Sequence, residues 1–227
     1  MVGMEPEQIG TLVFDVLGTL LDEDGAQLRA AEEVHGTAAA AFVERWQQEF
    51  HDRVDGVRAG RRPYASSEEL HRAALTAVSS DGATADQLER LATFGRRLDP
   101  FPDVPVAMAR LAQRHALVAL TNAGTVQSFS MSAHAGLRWT AAISGQTVQA
   151  YKPAEAMYRY AVQTLALDPA HCLFVAAHPW DLDAAARQGF RTGYVDRVGS
   201  SAAAMAEFGE RFDIAVPDLA ALADLLD

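Results

Sequence analysis

The chain has 227 residues, room for one generous domain or a core with a smaller insertion, and its 49% apolar content can fill a packed interior. Its 19 basic and 30 acidic residues leave a formal charge of -11, which disfavours nucleic acid or an anionic membrane as partner and requires a local basic pocket for any anionic ligand. Apolar runs fall far short of the ~20 residues of a membrane span, and Met1 to Pro6 lack the charged start and apolar core of a leader, so a soluble cytoplasmic protein is expected.

The first element is a short apolar run, Leu12-Val13-Phe14, followed at once by Asp15. A wholly apolar run reads as a strand buried on both faces of a parallel sheet, and it would deliver Asp15 to the carboxyl edge, where open α/β folds keep their ligands. Two residues on stands Leu17, which neither donates nor accepts a proton, so a group expelled by Asp15 would leave without acid help from that position. Residues 23–99 follow with helical, alanine-rich and charged sequence: Ala26 to Glu33, Thr37 to Val57, Ser66 to Val78 and Thr84 to Leu98. Ser66-Ser67-Glu68-Glu69 and Thr84-Ala85-Asp86-Gln87 fit capping boxes and mark two helix starts. Gly60-Arg61-Arg62-Pro63 breaks the helical pattern, and Asp99-Pro100-Phe101-Pro102 reads as a stiff link back.

From residue 100 onward strands and helices alternate. Leu117 to Leu120, Ala141 to Ile143 and Leu173 to Val175 read as strands, as do Thr192 to Val195 and Asp213 to Val216. Val104 to Arg114, Pro153 to Leu165 with proline at its first helical position, and Leu182 to Gln188 ending before Gly189 read as helices. This order predicts an α/β fold with a parallel sheet and right-handed crossovers, the core spanning 1–22 and 100–227, with a helical cap subdomain inserted at 23–99. Cys172, the sole cysteine, excludes an internal disulfide and a cysteine-based metal cluster and reads as a core residue.

Four separated segments carry chemistry: Asp15-Val16-Leu17-Gly18-Thr19, Leu120-Thr121-Asn122-Ala123-Gly124, Tyr151-Lys152-Pro153, and Ala176-Ala177-His178-Pro179-Trp180-Asp181. In this order, at strand ends or helix starts, they resemble the haloacid dehalogenase superfamily with its Rossmann-like core, and most of all the type II L-2-haloacid dehalogenases. The resemblance implies a hydrolytic dehalogenase of short 2-haloalkanoic acids that needs no metal and no cofactor. Asp15 would displace halide to form an aspartyl ester, and water would then hydrolyse that ester to a 2-hydroxy acid. Lys152 would keep Asp15 ionised, and Asp181 would orient Lys152 and help to activate the water. Thr19, Thr121 and Asn122 would bind the nucleophile or the substrate carboxylate, and Tyr158 matches a tyrosine near the site in dehalogenases. The resemblance further implies a small anionic substrate and a homodimer.

Phosphatases of the superfamily carry a second aspartate two residues after the nucleophile and acidic metal ligands after the fourth strand. Leu17 and Ala176-Ala177 stand at those places, which favours halide over phosphate as the leaving group. A phosphatase acting on a small phosphate ester and a catalytically silent anion-binding relative are the alternatives. The dehalogenase arginine that follows a tryptophan is replaced by Gln47, next to Trp46, which stands as a substrate-binding candidate; either the arginine's role moves to Arg45, Arg53, Arg58, Arg61 or Arg62, or halide handling differs. His178 is the candidate base in place of the family's Ser-x-Asn. Asp181 could also simply N-cap its helix, the 58–62 arginine cluster reads as a solvated loop from which one side chain could reach the pocket, and Trp46, Trp139 and Trp180 read as packing.

Overall fold

The computed structural model describes residues 9–79 and 83–227; the leader pattern considered at Met1 to Pro6 lies outside them. The chain opens with β1 (Thr11–Phe14), then runs through α1 (Glu23–His35), α2 (Ala39–Arg58), α3 (Ser67–Val78), α4 (Ala85–Ala92) and a 3-10 turn at Phe94–Arg97. After α5 (Val104–Leu111) come β2 (Ala116–Thr121), α6 (Thr125–His134), β3 (Ala141–Ser144), the one-turn α7 (Gly145–Val148), α8 (Glu155–Thr164) and β4 (Cys172–Ala176). The chain closes with α9 (Pro179–Ala186), β5 (Arg191–Val195), α10 (Ala202–Arg211), β6 (Ile214–Val216) and α11 (Leu219–Leu226).

The six strands form one parallel sheet in the order β3-β2-β1-β4-β5-β6. All six lie where the sequence placed strands. Leu12 and Phe14 point to one face of the sheet and Val13 to the other, each sealed by helices, which is why β1 tolerates no polar residue. On the first face the core runs without interruption from the sheet into α5, α11 and the inserted helices; on the second it continues into α8 and α9. β1 lies between β2 and β4, so the chain leaves it in opposite directions on its two sides, and the crevice at its carboxyl end is the topological switch point of the sheet.

Among the described residues, all regular elements between 23 and 97 are helical. Both capping boxes form: the Ser66 and Thr84 hydroxyls accept from the Glu69 and Gln87 N–H groups, and those side chains reach back to the cap N–H. The chain enters and leaves this insertion side by side, with Asp22 N–H donating to Asp99 O at 3.0 Å and Phe101 N–H to Leu20 O at 3.0 Å. Trp46, fully buried on α2, packs on Phe42, His71 and Phe94, as expected of a packing residue.

Several boundaries differ from the sequence reading. Pro153 is not the first residue of α8: the helix begins at Glu155 after Ala154 as N-cap. The expected helix at Thr84 to Leu98 ends at Ala92 and tightens into the 3-10 turn. The helix placed at Leu182 starts three residues earlier, at Pro179, with His178 as N-cap, so Asp181 sits inside its first turn and does not cap it. The sequence reading did not single out α6, α10 or α11. No helix among the described residues is long and apolar enough to cross a membrane.

Candidate active site

At the switch point a cavity of about 530 Å³ opens between the sheet edge and α2. Asp15, the residue after β1, is held there because its N–H continues the ladder to Val175 O at 3.0 Å. Its carboxylate takes three side-chain donors: Lys152 Nζ at 2.6 Å on Oδ1, and Thr19 Oγ1 at 2.6 Å and His178 Nδ1 at 2.9 Å on Oδ2. Burial alone would raise its pKa, but the Lys152 ammonium and His178 outweigh burial and hold Asp15 well below the ordinary carboxylate range. Asp15 is therefore ionised.

Lys152 is 1% exposed and donates to Asp181 as well as to Asp15. Burial would strip its proton, but the two carboxylates beside it raise its pKa and keep it an ammonium. Asp181 is fully buried, and its second oxygen accepts the hydroxyl of Tyr158. Burial and the charge of Asp15 push Asp181 up from the usual carboxylate value, against the pull of Lys152. Burial and the charge of Asp181 push the Tyr158 phenol up, so it serves only as a donor. Asn122 lines the cavity and fixes the lysine backbone, its Oδ1 accepting the Lys152 N–H at 2.7 Å.

Thr19 joins two strand ends, donating to Asp15 while accepting the Ala177 N–H at 2.9 Å. His178 lies over the turn that follows Asp15: Gly18 has φ +72°, and a Cβ there would come within 3.1 Å of the imidazole. Burial would lower the His178 pKa, but its hydrogen bond to Asp15 and the charge of Asp15 raise it. Since an ionised carboxylate only accepts, Nδ1 carries the proton of that bond.

Of the nine candidate residues, Asp15, Thr19, Asn122, Lys152, Tyr158, His178 and Asp181 form one connected hydrogen-bond cluster. The other two lie apart from it. Thr121 is buried at the end of β2 and caps the Ala123 N–H at 3.2 Å. Gln47 donates to Gln27 Oε1 at 2.8 Å and lines a smaller neighbouring cavity in place of the main one.

Among the arginines left open by the sequence, Arg58 is the one that lines the main cavity. From the last turn of α2 it donates to the Lys152 carbonyl and lies 5.9 Å from the Trp180 ring centroid. Trp180 was read as packing, but from the first turn of α9 it is 41% exposed and forms cavity wall. The sequence reading also passed over Phe50, His51 and Val54, although Phe50, Val54 and Arg58 recur every four residues on one face of α2. Glu23 and Ser67, on other cavity walls, carried no such signal.

The donor set does not fit a divalent cation. Asp15 and Asp181 are bridged by an ammonium, alanines follow β4, and among the described residues no three His, Cys, Asp or Glu side chains converge to hold a metal.

A parallel sheet with a buried, ammonium-paired aspartate at the end of its central strand, beneath an inserted set of helices, defines a class of α/β hydrolase. The family model for haloacid dehalogenase-like hydrolases matches residues 9–189. An (S)-2-haloacid dehalogenase of Pseudomonas sp. (strain YL) is 30% identical over 229 residues, covering 97% of this chain and 96% of the relative. The crystal structure of an L-2-haloacid dehalogenase superposes with a TM-score of 0.87 at 30% identity, covering 96% of this chain and 98% of the other. The L-2-haloacid dehalogenase of Xanthobacter autotrophicus, solved with chloropropionic acid covalently bound, gives a TM-score of 0.79 at 25% identity, with 96% and 98% covered. The chain belongs to the haloacid dehalogenase-like hydrolases.

Proposed function

We propose that the protein hydrolyses short 2-haloalkanoic acids, releasing halide and a 2-hydroxy acid through an ester on Asp15. One observation carries this reading: an ionised aspartate opens onto a cavity with an ammonium behind it, an apolar Leu17 where a phosphatase acid would stand, and no donor set for a divalent ion among the described residues. A weakly basic halide leaves without a proton, so Leu17 is no handicap. The covalent chloropropionic acid complex of the Xanthobacter relative supports the same chemistry.

In the first step an Asp15 oxygen attacks the halogen-bearing carbon while Lys152, Thr19 and His178 hold the carboxylate. Arg58 and the Asn122 amide N–H₂, left free because Oδ1 is engaged by Lys152, receive the substrate carboxylate. Forming the ester removes the negative charge that held the His178 proton. The imidazole sheds that proton and becomes the base for water attacking the Asp15 carbonyl. One proton of that water goes to His178, the other to the departing hydroxy acid, and Asp15 returns to its paired carboxylate. Asp181 and Tyr158 position Lys152 throughout.

On this reading residues 23–99 act as a cap over a core of 1–22 and 100–227, excluding water before the first step; the α2 residues in the cavity wall support it. The enzyme then works in the cytoplasm as a homodimer, which light scattering in solution would test. The decisive assay follows chloride release from L-2-chloropropionate with and without EDTA, beside phosphate release from a generic phosphate ester. Chloride release indifferent to EDTA is expected; phosphate release abolished by EDTA would replace this reading. A single turnover in heavy-oxygen water should leave label in the Asp15 carboxylate, and Asp15→Asn should release no halide.

A further inference from the structure

Hydrolysis of a carbon–halogen bond yields a proton as well as halide. In the cycle above that proton is the one His178 sheds once Asp15 is esterified, and it must leave a covered site. A second cavity of about 70 Å³ lies between α1 and the α2–α3 pair, and it shares Glu23, Phe50 and His51 with the main cavity. Two buried nitrogen atoms of its lining residues, Gln27 Nε2 and His71 Nδ1, have no hydrogen-bond partner among the described residues, and those residues are only 3% and 5% exposed. Buried polar groups of this kind take water as partner, and the volume suits one or two water molecules at about 30 Å³ each. The lining also includes Asp24, which is exposed to solvent.

Glu23 belongs to both cavities, and its carboxyl makes no hydrogen bond or ion pair to any other described residue, so it can turn toward either. The other titratable or charged groups lining the two cavities are Asp15 and His178 at the sheet edge, His51 and Arg58 on α2, His71 on α3 and Asp24 on its own helix; of these, Asp24, Asp15 and His178 act on its charge. Burial, then the negative charges of Asp24 and Asp15, raise its pKa to about 7 against the opposing His178. A carboxyl so placed takes up and gives off a proton with equal ease near neutral pH.

We propose that Glu23 is a proton relay, accepting the proton that His178 sheds when Asp15 becomes an ester and handing it to water in the side cavity for release past Asp24. This rests on the dehalogenase reading. The balance is closed: the carbon–halogen bond breaks with its electron pair on halide, the Asp15 oxygen forms the new bond to carbon, and the imidazolium proton leaves through the Glu23 carboxylate.

The test is Glu23→Gln, which keeps size and removes titration. Rapid-quench measurement with L-2-bromopropionate should show a halide burst of wild-type rate and amplitude, because the burst precedes proton loss. Steady turnover in dilute buffer should fall about tenfold and recover as imidazole buffer is added. Glu23→Asp, which keeps a titrating carboxyl, should lose less and need less buffer. Unchanged turnover of Glu23→Gln in dilute buffer, a loss that no buffer restores, or a slowed burst would each overturn the relay. A wild-type enzyme that releases no halide at all from L-2-bromopropionate would overturn the dehalogenase reading instead.

Discussion

Lys152 Nζ lies 2.6 Å from Asp15 Oδ1 although 137 positions separate them in the chain, and both side chains are removed from solvent. The same ammonium binds Asp181, so one positive charge stands between two buried negative ones. Lys152→Met should therefore do more than abolish halide release. It leaves two carboxylates without their counter-ion, at a cost of about 3–5 kcal/mol. The sign of the pH dependence follows: without the ammonium both carboxyls have folded-state pKa values above their unfolded ones, a contribution present at low pH and lost as pH rises. Thermal melts should show the variant closer to wild type near pH 5 than near pH 8. A variant equally destabilised at both would contradict the ion-pair account.

In the wild type the sign is opposite for Asp15. Its folded pKa lies below the unfolded value, so its stabilising contribution is present above the ordinary carboxylate pKa and is lost only as pH falls through the depressed one. The burst rate of halide release should accordingly show no acid limb from Asp15 down to about pH 5. A burst that halves near pH 6 would show that Asp15 is not held ionised as described.

His178→Ala separates the two chemical steps. Lys152 and Thr19 still hold Asp15, so an ester should form, but the base is gone and its hydrolysis should slow by about 10²–10⁴-fold. Mass spectrometry of the quenched enzyme would then show the intact protein heavier by the carboxyalkyl group that Asp15 has taken from the substrate. Rapid turnover without ester accumulation would assign the base elsewhere.

Arg58→Gln addresses anion capture. Losing the guanidinium should raise the KM for a 2-haloacid about tenfold, equivalent to ~1.4 kcal/mol, and leave kcat nearer the wild-type value. A fall in kcat at unchanged KM would give Arg58 a role in the chemistry instead of in binding.

Trp46 offers a contrast outside the site. It is fully buried among aromatic rings, and its indole N–H finds no partner among the described residues. Trp46→Ala should cost about 3–5 kcal/mol. Trp46→Phe removes the unpaired N–H together with some volume and should cost much less. Chemical denaturation of both variants checks the pair.

The parts of this molecule written as strands were readable because a residue buried on both faces must be apolar and the ligand edge begins where that rule stops. Asp15, Asn122 and His178 each announce such an edge, and the structure places all three there. Helical walls are harder to read, since a helix always has several faces and only the docking angle decides which one meets the cavity. Thus Arg58 stood among five arginines without distinction, and Trp180 was assigned to packing. Glu23 was invisible for another reason: its environment is made by Asp15 and His178, from two other segments, neither of which marks it in sequence. Gln47 illustrates the limit of alignment by neighbours. Its place beside Trp46 matches the dehalogenase arginine, but Gln27 and Asp24 hold its amide among themselves.

The two chain crossings near residues 20–22 and 99–101, bonded to each other, fix how the inserted helices can swing. A single strand would act as a tether and let them swivel; a zipped pair behaves as a door hinge with one axis. If the inserted helices move as a unit, that line is the axis the paired crossings favour. Away from that line the inserted helices are held to the core by shared apolar packing, by Ser67 Oγ donating to Gln127 Oε1 at 2.6 Å, by Arg58 on the Lys152 carbonyl and by the Tyr151 hydroxyl on Ala65 O at 2.9 Å. The backbone that carries the lysine is thus also a seat for the inserted helices, through the Arg58 contact on its carbonyl.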